Sequence, residues 1–262
     1  EIRLSLVGSE MCIRDRYFYV YNLRQGYPYL YYTLSAITII FMIAVPILTM
    51  RSFAEDRKNK TDQLMLTAPV PVAKVVLGKY LAMLAVFTVD IAVFCVTPLI
   101  LRAFGTIPMG ESYIAILAFW LYGAASIAVG MFISALTESQ VIAAVLTFVV
   151  LFISYMMQSL TGLISSDGNW LTKILNGLDL YAPFEKFQGG CLDITAILYY
   201  VTVIVLFNFF TVQAIQKRRW SISKKTFSLS VFSSSFIVVV LALAVVANLA
   251  VDALPTRITS VD

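Results

Sequence analysis

The chain has 262 residues, 60% of them hydrophobic and only 13% charged, with a formal net charge of +4 and no histidine; its mean hydropathy is +0.86. A soluble domain is nearer half apolar with about a quarter of its residues charged, so this composition predicts an all-α, polytopic membrane helical bundle. Without histidine there is no imidazole catalysis and no His-ligated metal; the cysteines at 12, 95 and 191 form no Cys-x-x-Cys pair and read as packing residues.

Residues 1–16, EIRLSLVGSEMCIRDR, lack the apolar core of a signal peptide. The peptide SLVGSEMCIRD resembles a spurious translation that recurs in assembled sequence data, so the segment is expected to be non-native; a short natural amphipathic arm is the alternative. Charge-free runs long enough to cross about 30 Å of hydrocarbon as helices follow at 25–50, 112–137, 139–166, 194–216 and 226–251. A sixth, 80–101, is broken only by Asp90.

Between the first two runs lies the longest polar interruption, Arg51 to Lys79, with Lys or Arg at 51, 57, 58, 60, 74 and 79. Ser52-Phe-Ala-Glu55 has the Ser-x-x-Glu spacing of a capping box, in which each side chain satisfies a backbone donor of the other. Leu64, Met65 and Leu66 add an apolar patch before Pro69 and Pro71. The pattern predicts a short amphipathic helix on the membrane surface; a solvated basic loop that only fixes topology fits the same composition. Segments 51–79 and 217–225 carry eleven Lys and Arg, whereas 103–111 and 167–193 carry Lys173 and Lys186 alone. The positive-inside bias places the basic segments, and the turn Thr137-Glu138-Ser139, in the cytoplasm.

On the opposite side, 162–193 is longer than a plain connector. NWLTKILNGL (169–178) has helical apolar spacing, and Tyr181, Phe184 and Phe187 are aromatics of the kind found at membrane interfaces. One or two short helices at the outer boundary are expected, with Asp193 capping the next span.

Asp90 lies mid-span, where a carboxylate costs on the order of 2.5–3.5 kcal/mol unless it faces protein or water. It is either a polar point on a substrate pathway or an acid bonded locally to a hydroxyl; with no relay partner in sight, the local reading is preferred. Ser126, Gly130 and Ser134 fall four apart on one helix face, a spacing that lets backbones approach closely, within the bundle or between two copies. Glu138 either caps a helix start or touches the basic segment 51–79 or a partner. Nucleotide chemistry has no loop here: LGKY at 77–80 lacks the first glycine and the hydroxyl residue of a phosphate-cradling motif.

PILTMRSFAEDRKNKTDQLMLTAPV (46–70) and VVLGKYLA (75–82) resemble the segment after the second span of ABC type-2 permeases, most closely the gliding-motility-type branch. The resemblance runs on through ALTESQVIAAVLTF (135–148), YAPFEKFQGGCLDITAILYY (181–200) and KRRWS (217–221), covering roughly 17–221. It implies the permease subunit of a bacterial exporter in the inner (cytoplasmic) membrane, not itself an enzyme. It also implies a separate ABC ATPase, a second permease copy or related subunit, no cofactor and no nucleic acid. The 51–79 segment would be the coupling helix, with Glu55, Asp56, Arg57, Lys58 and Glu138 toward the ATPase. YFYVYNL (17–23) looks like the outer end of a first span otherwise cut away. Residues 222–262 look like the start of the membrane-anchored auxiliary protein encoded beside such permeases. An ion-coupled secondary transporter would instead show paired intramembrane charges or broken helices in matching halves, and neither is evident; a non-transporting scaffold would bind no ATPase.

Overall fold

The computed structural model describes residues 12–13, 15–24, 31–59, 71–104, 109–164, 179–188 and 194–219. After a π-helical turn at Tyr19–Arg24 come α1 (Tyr31–Thr49), α2 (Ala54–Lys58), α3 (Val72–Phe94), α4 (Thr97–Phe104), α5 (Met109–Leu136), α6 (Gln140–Ile164), α7 (Tyr181–Gln188) and α8 (Ile194–Arg219). No strand occurs among the described residues. Five described helical stretches are long and apolar enough to cross a membrane: Thr33–Lys58, Val72–Ala103, Met109–Leu136, Gln140–Met157 and Ile194–Gln216. The expected helix at 169–178, the cap at Asp193, the patch at 64–66, Cys191 and the further span at 226–251 lie outside the described residues.

The bundle is built around α5, which touches α1, α3, α6, α7 and α8. Every residue from Leu121 to Met131 is buried. The sequence of this stretch explains why. In lipid no hydrophobic force drives helices together, so close packing depends on small residues, and Gly123 to Gly130 reads GAASIAVG. The ring of Phe87 on α3 lies against Gly123, and Thr49 of α1 lies against Gly130. By contrast α6 leaves Val141, Val145, Val149 and Phe152 exposed, side chains that need nothing but acyl chains around them.

The span expected at 80–101 differs at both ends. Its helix starts eight residues earlier, at Val72, because Pro71 is the last extended residue before it. It stops at Phe94 because Pro98 has no N–H for the Phe94 carbonyl and its ring would collide with it. Thr97 Oγ1 donates to that carbonyl instead, at 2.7 Å, and α4 continues with Pro98 in its first turn, where proline is tolerated.

The aromatics of α7 do not form an interfacial belt. Phe184 and Phe187 are fully buried, and Phe184 joins Phe119 and Tyr122 of α5, with centroid separations of 6.1 and 5.8 Å. Phe41 extends the cluster to Phe119 at 5.2 Å and to Phe87 at 5.1 Å. Offset and tilted pairs at these distances add to area burial. The short helix is thus part of the core at that end.

Candidate functional site

At the end of the bundle that carries Arg51, Arg57, Lys58, Lys74 and Lys79, the chain turns from α1 into the five-residue helix α2. A helix this short is not stable on its own propensity, so its orphan groups must be met from outside. The capping box does not form: the N-cap position is Phe53, without a side-chain cap bond, and Ser52 Oγ is buried with no hydrogen-bond partner. The donors go to Ser134, near the end of α5. Its Oγ accepts from Phe53 N at 3.1 Å and from Ala54 N at 3.2 Å, and donates to Met50 O at 3.2 Å. Tertiary contact replaces the local cap because α5 brings a hydroxyl directly over the turn.

Two cations then fix the rest of the segment. Arg57 reaches the end of α5, its Nη1 donating to Leu136 O at 2.8 Å, and its Nη2 pairs with Glu138 Oε1 at 3.1 Å. The guanidinium side is sheltered (14% exposed) while Glu138 is 81% exposed, so the carbonyl bond matters more than the ion pair. A cation at a helix C-terminus also meets the negative end of its dipole. Lys79, in the second turn of α3, donates to Ser52 O at 2.6 Å, pairs with Asp56 and lies 4.5 Å from the Phe53 ring centroid. The arrangement has no catalytic chemistry. It is a joint, held to α5 on one side by Ser134 and Arg57 and to α3 on the other by Lys79.

Of the residues singled out in the sequence, Asp56, Arg57, Glu138 and Ser134 therefore meet at this joint. Lys58 is exposed and Glu55 half-buried beside it. Ser126 is fully buried and bonds its own helix, Oγ to Tyr122 O at 2.8 Å, while Gly130 faces Thr49. Asp90 is remote from the joint, buried (6% exposed) on α3 and engaged with the protein around it. Lys79 was legible in the sequence only as one of the basic charges of 51–79, and nothing in its position signalled that it ties α2 to α3. Among the described residues Cys12 and Cys95 are free thiols, and no cluster of metal-ligating side chains occurs.

A second polar knot closes the opposite end. Asp179 Oδ1 accepts from Tyr181 N at 2.8 Å and from Ala182 N at 3.1 Å, capping α7. Leu180 N donates to Ser154 Oγ of α6 at 2.9 Å, and Tyr200 of α8 donates from its hydroxyl to Leu180 O at 2.8 Å. Burial raises the Asp179 carboxyl above the usual range; its two backbone hydrogen bonds oppose the shift, and Glu185 adds to it. A carboxyl whose folded-state pKa is raised contributes stability that is greatest below its unfolded value and falls as pH rises through the raised one. Asp179→Asn keeps the acceptor and loses the charge, so its thermal midpoint in detergent should vary less between pH 4 and 8 than the parent's. Asp179→Ala, without the cap, should cost about 1 kcal/mol throughout. Equal pH dependence in parent and Asn variant would refute the assignment.

Compared with families of known proteins, residues 16–189 match the model of the ABC-2 family transporter protein, about two thirds of the chain. No curated protein and no solved structure matches it.

Proposed function

Because the chain belongs to the ABC-2 transporter family, we propose that it is the permease subunit of an ATP-binding-cassette exporter, driven by a separate ATPase subunit that docks on α2. The observation that carries this reading is the joint itself. A five-residue helix fastened to both α3 and α5 delivers a push on its outer face to the central helix and to one neighbour at once. In this reading segment 51–79 and the turn 137–139 are cytoplasmic, the membrane is the inner (cytoplasmic) one, and two copies, or one with a related subunit, enclose the pathway. The sequence segments quoted above favour the gliding-motility-type branch. They also favour a permease over 17–221, preceded by a non-native 1–16 and followed from about 222 by the anchor of an auxiliary protein. Asp90, buried on α3, is the one carboxylate of that helix and the candidate polar point on the pathway.

Arg57 and Asp56 are occupied within the chain, which leaves Glu55 and Lys58 as the charges of α2 available to a partner. Tagged full-length chain purified from its native membrane should retain an ATP-hydrolysing subunit and, in proteoliposomes, support ATP-dependent flux. Combining Glu55→Lys with Lys58→Glu should lower retention of that subunit roughly tenfold at unchanged expression. Undiminished retention would rule out docking through this face, and absence of any ATPase in the purified parent would remove the exporter reading.

A further inference from the structure

Two hydroxyls in this chain are placed to accept the same backbone N–H, and only one of them does. With Ser52 as N-cap, Ala54 and Glu55 would be the residues whose N–H groups its side chain accepts. In the structure Ala54 N donates to Ser134 Oγ at 3.2 Å and Ser52 N donates to Thr49 O at 3.0 Å. Ser52, only 4% exposed, keeps a hydroxyl without a partner. An unpartnered buried hydroxyl is a cost that folded chains ordinarily avoid. Here its remedy is adjacent, in the Ser-x-x-Glu pattern that the chain carries and does not use.

We propose that α2 exchanges caps. Against α5 it is capped by Ser134; when it swings off α5, Ser52 and Glu55 close the capping box, and the helix stays intact through the movement. The contacts are sorted as such a swing requires. The bonds of the α5 side, those of Ser134 to the turn and those of Arg57 to Leu136 O and Glu138, break together. Lys79 holds Ser52 O and Asp56 from α3, so α3 is the pivot. Each cap is one serine hydroxyl serving the same turn, so the caps offset one another and the two positions differ mainly by the Arg57 bonds to α5, which a partner's differential contact must outweigh to select the swung position. The inference rests on reading α2 as the element an ATPase moves, but the exchange itself is a property of this chain alone.

It is tested without any ATPase, by hydrogen–deuterium exchange on the full chain in lipid nanodiscs. The amides of Arg57 and Asn59 report on α2, since they donate to Phe53 O at 3.1 Å and to Glu55 O at 3.0 Å. Ser52→Ala and Ser134→Ala should each change their exchange less than about twofold, because one cap remains. The double variant should speed it about fivefold or more, the worth of a helix cap, so that the effects are strongly non-additive. Ser134→Ala with Glu55→Ala, which leaves Ser52 in place and removes the other arm of the box, should fall between. The proposal is overturned if Ser134→Ala alone produces the full increase, or if the double variant exchanges like the parent. Non-additive exchange in a chain that retains no ATPase would keep the cap exchange and discard the exporter reading.

Discussion

Replacing Gly130 by alanine is expected to lower the thermal midpoint of the full chain in detergent by roughly 2–12 °C, and replacing it by leucine to prevent accumulation of folded protein. A Cβ on residue 130 would lie 2.4 Å from Thr49 Oγ1, 2.9 Å from Thr49 Cβ and 3.0 Å from its Cγ2. The threonine has no free direction: it is fully buried and its hydroxyl donates to Val45 O at 2.9 Å. A rotamer change leaves Cβ where it is, so α1 itself must move off α5. Overpacking of this kind costs about 1–3 kcal/mol, and in a chain of this size each kcal/mol moves the midpoint by about 2–4 °C. Thr49→Ala removes the two branch atoms and leaves the 2.9 Å contact, so adding it to Gly130→Ala should restore about half of the loss. Additive effects of the two substitutions would show that α1 and α5 are not in contact there.

The same contact marks the boundary of what could be read from the sequence. The five described spans were legible because hydrocarbon forces long apolar helices whatever packs on them; the tight turn at Thr137 to Ser139 and the basic segment were legible through charge. Which span is the hub was not. All are apolar on every side, so no periodicity separates α5, in contact with every other described α-helix, from α6, whose valines face outward. The small residues at 126, 130 and 134 pointed to close approach but not to Thr49 as the neighbour. The joint was half legible. A capping pattern speaks only for residues within one turn, and here the hydroxyl that caps α2 stands 80 residues away on another helix. Lys79 and Arg57 were visible as charges, but their partners are main-chain carbonyls, which every sequence possesses everywhere. Asp179, which caps α7, was not singled out in the sequence, where Asp193 was the cap expected on that side; Ser154 and Tyr200, which complete that knot, carried no signal.

Arg57→Ala is expected to destabilise the joint by about 1.5–3 kcal/mol, the range for hydrogen bonds from charged donors, whereas Glu138→Gln should cost no more than about 1 kcal/mol. The two residues form one ion pair, so a pair-centred view gives them equal weight. Their surroundings do not. Glu138 is 81% exposed, and water and salt replace Arg57 readily as its neighbour. Arg57 is sheltered and serves Leu136 O at 2.8 Å, a carbonyl of the last turn of α5 with no intrahelical partner available. Arg57→Lys keeps the charge at the helix end but loses the planar fork that reaches the carbonyl and the carboxylate together, and should lie between. Thermal midpoints should therefore rank Arg57→Ala below Arg57→Lys, and Arg57→Lys below Glu138→Gln, with the Glu138 effect shrinking further in high salt. A Glu138→Gln loss as large as that of Arg57→Ala would place the stabilisation in the ion pair and undo this account. The distinction governs how charge reversals on α2 are interpreted. At 57 a reversal sets a carboxylate against Glu138 and against the negative end of α5, so it detaches α2 from the bundle before any partner is involved; at the exposed Lys58 it alters only what a partner meets.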